Sequence, residues 1–152
     1  MTDEHELDAI AKAIIDANLY MVLGTADVAG RPWVTPVYYA SNDYREFFWV
    51  SELVAKHSRN LEARGDVSIV IFDSSVPINT GQGVYISGTA HELTGEEREP
   101  GIDIYSRRAQ SDGGREWTFE DVQIPALHRL YRAVALDCYL LDEHDTRVLV
   151  SI

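Results

Sequence analysis

Apolar residues near the start of the chain recur every three or four positions, and the period then changes. Between residues 5 and 18 the apolar side chains lie on one face of a helical wheel, which predicts an amphipathic helix. They are Leu7, Ile10, Ala11, Ile14 and Ala17. Asp3 precedes this pattern, with Glu6 three residues later, and is suited to cap the helix.

Three short apolar runs rich in β-branched and aromatic residues follow. They cover residues 20–25, 33–40 and 47–51 and are separated by Gly, Asn and Asp turn residues. Parallel strands need long crossover connections, which these turns cannot supply, so antiparallel strands are predicted. Pro36 lies inside the second run. That strand is therefore expected at a sheet edge, at a bulge or beside a bound ligand.

The second half of the chain continues the strand pattern with two helical interruptions. Residues 55–64 are predicted as a short helix and residues 102–110 as another, with further helical turns expected within 120–132. The remaining apolar runs, at 67–72, 84–93, 133–142 and 147–152, predict strands, and the last two form a hairpin. Gly88 indicates a bulge or a close backbone approach. The pattern predicts a mostly antiparallel, mainly β barrel of six or seven strands with helices at its ends.

Composition narrows the classes of function. With 152 residues the chain is expected to form one domain spanning residues 1–152. The formal net charge is −12, which argues against nucleic acid and anionic membranes as partners. Cys138 is the only cysteine, which excludes an intramolecular disulfide and a cysteine-ligated zinc site. An acidic start and no long apolar run predict a cytoplasmic protein.

Against this acidic background, one cluster of cations follows the third apolar strand. It consists of Lys56, His57, Arg59 and Arg64. Lys56 and His57 stand at the start of the predicted helix, where unpaired backbone N–H groups favour an anion such as phosphate. A solvated helix face that pairs with Glu52 and Glu62 is the alternative.

Aromatic residues crowd the two strands before that cluster. They are Trp33, Tyr38, Tyr39, Phe47, Phe48 and Trp49. Flat rings beside a phosphate-sized cationic spot suit a planar cofactor with a phosphate tail, although rings that fill a barrel core would give the same pattern. The five histidines lack the short paired spacing of metal ligands, so no metal site is predicted. Signals for Ser-His-Asp catalysis and for a glycine-rich nucleotide loop are also absent.

The order of these segments resembles the FMN-binding split barrel of the pyridoxamine 5′-phosphate oxidase-like family. The resemblance runs from about residue 14 to residue 93, and the segment 130–141 resembles the closing strand of the family. Its most specific part is the aromatic strand FFWVS followed by Ala55-Lys56-His57 and Arg59-Asn60-Leu61. Many members have Ser-Arg-Lys where this chain has Ala55-Lys56-His57.

The resemblance implies a six-stranded antiparallel split β-barrel with flanking helices, and a homodimer with FMN at the interface. The family pattern places the flavin against Thr35, Pro36, Val37 and Tyr38. It adds Trp49, Val50 and Ser51 from the next strand, the basic pair Lys56 and His57 at the phosphate, and Gln82 near the ring.

The function implied by the resemblance is that of an FMN-dependent oxidoreductase with a small-molecule substrate. No catalytic side chain is assigned, because the flavin itself carries the redox chemistry. The alternatives are a deazaflavin-dependent reductase on the same fold and a flavin-binding module without catalysis. True pyridoxamine 5′-phosphate oxidases end in a tail with Arg and His that holds the substrate. The last residues here are RVLVSI, so oxidation of vitamin B6 is not expected.

Overall fold

The computed structural model describes residues 3–152 and contains three α-helices and eight strands within that range. The helices are α1 (Glu4–Ala17), α2 (Lys56–Ala63) and α3 (Arg98–Ser111). The strands are β1 (Tyr20–Ala26), β2 (Pro32–Tyr38), β3 (Ala40–Asn42), β4 (Glu46–Glu52), β5 (Asp66–Phe72), β6 (Gly83–Glu92), β7 (His128–Leu141) and β8 (Arg147–Leu149). Two short 3₁₀ turns lie at Gly95–Glu97 and Phe119–Val122.

All eight strands belong to one antiparallel sheet in the order β2-β1-β5-β6-β7-β4-β3, with β8 paired to β7. The two end strands, β2 and β3, are separated in the chain only by Tyr39. The sheet therefore curls until its two ends meet, as the predicted mainly β split barrel requires. The strand count differs from the expected six because the chain breaks pairing at Tyr39 and adds β8 outside the barrel.

The inner face of the curled sheet forms the main core. Along β1, the alternating side chains of Met21, Leu23 and Thr25 are buried. Trp49 of β4 stacks on Tyr131 of β7, with 5.8 Å between ring centroids. One end of the barrel is covered by α1, whose N-cap Asp3 accepts a hydrogen bond from the backbone N–H of His5.

Helix α3 covers a second, smaller core on the outside of β3, β4 and β7. Its members are Ala40, Phe48, Leu93, Ile102, Tyr105, Val122 and Leu130. Gly101 lets α3 approach closely, because a Cβ atom there would lie 2.8 Å from Leu93 and 3.0 Å from Leu130. The predicted helix at 102–110 is confirmed but begins earlier, at Arg98.

The helical turns expected within residues 120–132 are wrong for most of that range. One 3₁₀ turn ends at Val122, and β7 begins at His128. Residues 128–134 pair with the whole of β4, from Glu52↔His128 to Glu46↔Val134, and this long-range pairing overrides the local pattern.

Two predictions about backbone irregularities are confirmed. Pro36 lies on β2, an edge strand that pairs only with β1, which is the first of the three predicted alternatives for this proline. The register of β6 against β7 shifts between Ser87 and Gly88, which is the predicted bulge. Among residues 3–152, no helix is long and apolar enough to cross a bilayer.

Candidate functional site

Helix α2 lies across one end of the barrel in a fixed position. Asn60 donates from its side-chain amide to the Thr25 hydroxyl at 3.0 Å, which ties α2 to β1. Ser58 donates from its hydroxyl to the carbonyl of Glu52 at 2.8 Å, which ties α2 to the end of β4. The N-cap residue is Ala55, and no side chain caps the helix. The positive end of the helix dipole is therefore held in place without a carboxylate or hydroxyl partner at its cap.

His57, the second residue of α2, points inward. Its Nε2 lies 2.7 Å from the hydroxyl oxygen of Ser51, and the residue is only 9% exposed. Burial lowers the pKa of the imidazole below its usual value, because the charged form is poorly solvated there. The ring is therefore neutral at neutral pH and acts as a hydrogen-bonding partner, so the positive charge at this helix start comes from Lys56.

Lys56 carries that charge next to an exposed aromatic ring. Its Nζ lies 4.6 Å from the centroid of the Trp33 ring, which is a cation–π contact. Trp33 is 43% exposed and lies near the start of edge strand β2. The chain has one other lysine, Lys12 on α1, whose Nζ lies 5.4 Å above the Tyr44 ring.

Two adjoining cavities run along the outer face of the sheet towards Trp33. They have volumes of about 340 and 320 Å³ and share Gly24, Val34 and Ser68. We call them together the outer groove. The larger cavity is also lined by Val22, Ile69, Val70, Tyr85, Ile86, Ser87, Tyr139 and Arg147, and the smaller one by Thr25, Ala26, Pro32, Trp33, Asp66 and Val67.

The floor of the outer groove is shaped by Gly24. It occupies an outward position of β1, between the inward Leu23 and Thr25. A Cβ atom at Gly24 would lie 3.1 Å from the carbonyl oxygen of Ser68 and 3.8 Å from Val34. A larger side chain at this position would fill the groove where its two cavities join.

The structure brings together part of the predicted site. Ser51, Lys56 and His57 meet at the start of α2, and the predicted strand 35–38 is the edge strand β2 that also carries Trp33. Thr35 is half-buried and Pro36 exposed, while Val37 faces the core. Tyr38 packs under α3, where its hydroxyl donates to Asp112 at 2.6 Å.

Three other predicted residues lie away from this cluster. Trp49 is fully buried in the barrel, and Val50 is half-buried where β4 pairs with Leu130 of β7. Gln82 lies just before the first residue of β6. The other end of β6 is the one near α2, because the backbone N–H of Ala90 donates there to the carbonyl of Gly65. The Gln82 amide donates to the carbonyl of Leu141 at 2.6 Å and accepts from its N–H at 3.2 Å.

Residues of the outer groove are absent from the predicted site. Gly24, Tyr85 and Tyr139 line the larger cavity and lie on strands β1, β6 and β7. The sequence contains one sign of this groove. Val84 and Ile86 are buried and Tyr85 between them points outward, so the strand alternation places an aromatic ring on the solvent face. The described residues, 3–152, contain no group of three or more His, Cys, Asp or Glu that could hold a metal ion.

Residues 7–132 match the sequence profile of pyridoxamine 5′-phosphate oxidase. The chain belongs to the pyridoxamine 5′-phosphate oxidase family. The match covers α2, strands β1 to β6 and the first residues of β7, and it includes Ser51, Lys56 and His57. No curated protein matches the sequence.

Solved structures of other proteins share the fold of this family member. The heme storage protein HutZ from Vibrio cholerae is 21% identical, with 85% of this chain and 89% of that chain covered and a TM-score of 0.68. A heme binding protein from Mycobacterium smegmatis is 16% identical, with 99% of this chain covered and a TM-score of 0.75; this chain spans 59% of its length.

A third structure carries the family name. It is a Clostridium acetobutylicum protein related to general stress protein 26, of the pyridoxinephosphate oxidase family. It is 15% identical, with 99% of this chain and 97% of that chain covered and a TM-score of 0.65. At such identities these likenesses establish the fold alone.

Proposed function

We propose that this family member binds FMN and acts as an FMN-dependent oxidoreductase on a small molecule. The observation that carries the proposal is the position of Lys56, at the uncapped start of α2 and beside the Trp33 end of the outer groove. This arrangement combines an apolar, concave surface for a flat ring with a cation and helix N–H groups for a phosphate.

The charges of the region support a small phosphate ligand. The net charge of −12 repels large polyanions, whereas Lys56 and the helix dipole act over a few ångströms. His57 is neutral, so it would accept or donate a hydrogen bond without adding charge. Ser51 already bonds to His57 and fixes the orientation of that ring.

The residues present fit the cofactor, because the groove left open by Gly24 has an aromatic ring and a cation at one end. In this arrangement Lys56 would bind the phosphate, and Val22, Val34 and Val70 would exclude water from one face of the ring. FMN, when bound, supplies the electron or hydride transfer itself. The protein then contributes position, a dry surface and the charge at the phosphate.

We further propose that a second copy of the chain covers the outer groove and forms a homodimer. Large apolar side chains surround the groove on the solvent side of the sheet, with Val34 65% and Leu149 58% exposed. Contiguous apolar surface of this kind marks an interaction site, and twofold pairing is the commonest solution for a single chain. A Val34→Glu variant should run as a monomer in analytical ultracentrifugation while the parent sediments as a dimer.

The experiment that tests FMN binding compares the two lysines. FMN and riboflavin, which lacks the phosphate, are titrated by calorimetry into the parent, a Lys56→Met variant and a Lys12→Met variant. Loss of a charge-assisted contact worth about 1.5–3 kcal/mol should weaken FMN binding by roughly tenfold to a hundredfold in Lys56→Met. Riboflavin affinity should not change, and Lys12→Met should behave as the parent.

An FMN affinity that is equal in all three proteins would contradict the placement of the phosphate. Failure of the parent to bind FMN would contradict the cofactor assignment, and the same titration with the deazaflavin coenzyme then tests the deazaflavin-dependent alternative. Tight flavin binding without turnover of any reductant or substrate would favour the flavin-binding module.

Haem binding is a second candidate, and one feature of the larger cavity favours it. Tyr85 and Tyr139 face each other across β6 and β7 in an apolar cavity, and the Arg147 guanidinium lies 4.5 Å from the Tyr139 ring centroid. Tyrosine is a known haem ligand, and HutZ and the Mycobacterium smegmatis relative are described as heme proteins. Haem binding that is lost in Tyr85→Phe, with no flavin binding in the parent, would establish this candidate in place of FMN.

A further inference from the structure

The outer groove is open because small side chains cross its floor. Gly24 of β1 pairs with Ser68 of β5, and Ser68 pairs with Ser87 of β6, so the three lie side by side on neighbouring strands. All three line the larger cavity. Paired residues of neighbouring strands face the same side of a sheet, so both serine hydroxyls lie on the outer face with Gly24. The floor therefore combines free space with hydroxyl groups that can bond to a ligand.

Beside this floor, larger side chains form a row that ends in two tyrosines. Val22 pairs with Val70, and Val70 pairs with Tyr85. Tyr85 pairs in turn with Tyr139, so the row crosses four neighbouring strands. Neighbouring strands lie about 4.8 Å apart, which puts Tyr85 roughly 10 Å along the row from Val22. The tyrosine end therefore has space for a second flat molecule beside a flavin ring that lies against the valines.

Arg147 lies at the tyrosine end of this row. Among residues 3–152 it is the only charged side chain that lines the larger cavity, and it forms no ion pair with any described residue. The chain has 25 acidic residues against 13 lysines and arginines, so an unpaired cation beside an apolar cavity stands out. Its guanidinium lies 4.5 Å from the Tyr139 ring centroid. A guanidinium held over a ring face keeps the N–H groups at its edge available to a carboxylate.

We propose that the tyrosine end of the outer groove is the substrate subsite, and that it takes a flat organic carboxylate. Arg147 binds the carboxylate, while Tyr85 and Tyr139 pack against the conjugated part of the molecule. An apolar cavity with one cation at its end favours a ligand that is apolar along its length and negative at one end. The inference rests on the proposed function, because it names the substrate class of the same groove, but binding of the carboxylate itself needs no flavin.

The substrate and the flavin phosphate would bind to different cations. Lys56 lies over the ring of Trp33, which lines the smaller cavity, whereas Arg147 lines the larger one. In the sheet, β1, β5 and β6 lie between β2, the strand of Trp33, and β7, the strand of Tyr139. An anionic substrate at Arg147 therefore does not compete with a phosphate at Lys56, and its conjugated part lies next to a flavin ring placed between the two cations.

The test measures the binding of cinnamate, a flat carboxylate, and of cinnamamide, which has nearly the same shape without the charge. Both are titrated into the full chain without flavin, and amide chemical shifts in two-dimensional NMR give the dissociation constants. The parent should bind cinnamate roughly tenfold more tightly than cinnamamide, because the amide cannot form the charged contact with a guanidinium.

Variants of the subsite should divide the two ligands in different ways. Arg147→Gln should remove the preference for cinnamate and leave the affinity for cinnamamide unchanged. Arg147→Lys should keep part of the preference, since lysine keeps the charge but not the planar pair of donors. Tyr85→Ala should weaken the binding of both ligands alike, because both pack against its ring. Arg107→Gln is the matched control and should behave as the parent, because Arg107 is exposed on α3 and pairs with Asp103.

A parent without a preference for cinnamate, or an equal preference in Arg147→Gln, would overturn the proposal. A preference lost in Lys56→Met instead would place the carboxylate at α2 and overturn it as well. The titration is then repeated with saturating FMN, and cinnamate should bind as it does without flavin. Competition between the two would place the flavin at Arg147 and contradict a separate subsite. A parent that binds no FMN but keeps the Arg147-dependent preference would contradict the cofactor assignment and support the carboxylate site.

Discussion

Two regions on the outer face of the same sheet differ in whether a helix covers them. The outer face of β3, β4 and β7 is covered by α3, so that Phe48 and Leu130 are almost completely buried. The outer face of β1, β5 and β6 has no such cover within the described chain, and Tyr85 and Phe72 remain exposed. The apolar face under α3 forms the second core, and the uncovered apolar face is the candidate binding surface.

The difference shows that apolar character does not by itself separate a core from a site. Both faces have valine and aromatic side chains on strands. What separates them is whether the chain returns a helix to cover the face. Residues 93–127 provide that helix for one face, with Gly101 allowing close contact. The proposed flavin and second copy of the chain would cover the other.

The largest difference in stability is expected from replacing one phenylalanine on each face with alanine. Phe48→Ala empties a buried position under α3 and should lower the free energy of unfolding by about 3–5 kcal/mol. Phe72→Ala, at a ring that is 46% exposed, should change it by roughly 0.5 kcal/mol or less. Urea denaturation measures both. Equal losses would show that the exposed face is as firmly packed as the covered one.

A smaller effect is expected from filling the outer groove. Gly24→Val places a branched side chain against the Ser68 carbonyl and Val34, so it should cost about 1–3 kcal/mol of stability and also displace the flavin ring. FMN and riboflavin should both bind more weakly, in contrast to Lys56→Met, which affects FMN alone. Calorimetric titration measures this, with Gly81→Val in an exposed loop as control. Undiminished binding of both flavins would place the ring elsewhere.

The smallest expected effect is a pH dependence of stability at the start of α2. His57 has a lowered pKa in the folded protein, so the unfolded chain binds more protons as the pH falls below about 6.5. The stabilisation is present above that pH and is lost on acidification. His57→Gln keeps a side chain able to bond to Ser51 but cannot titrate.

Thermal melts at a series of pH values between about 8 and about 5 compare His57→Gln with the parent. The variant should lose less stability over this range. His91→Gln serves as control, because the His91 side chain on β6 is exposed and lies near Glu97. A steeper acid loss in His57→Gln than in the parent would mean that the imidazole is charged in the fold.

The candidate site was predictable in part. Lys56 was found because it is a lysine at a helix start in an acidic chain, and that is visible in sequence alone. The orientation of His57 towards Ser51 was not, since it depends on how α2 is tied to Thr25 and Glu52. Trp49 and Trp33 have similar local sequence surroundings, yet one is fully buried and the other is exposed.

The sequence by itself determined the local elements, because periodicity, turn residues and helix starts are properties of neighbouring residues. It predicted α1, α2, most of the strands, a bulge or close backbone approach at Gly88, and an edge position as one of three alternatives for Pro36. Only the tertiary structure decided that β7 begins at His128, that β2 and β3 separate at Tyr39, and which outer face α3 covers. These depend on pairing between residues far apart in the chain, and the outer groove exists because that pairing leaves one face of the sheet uncovered.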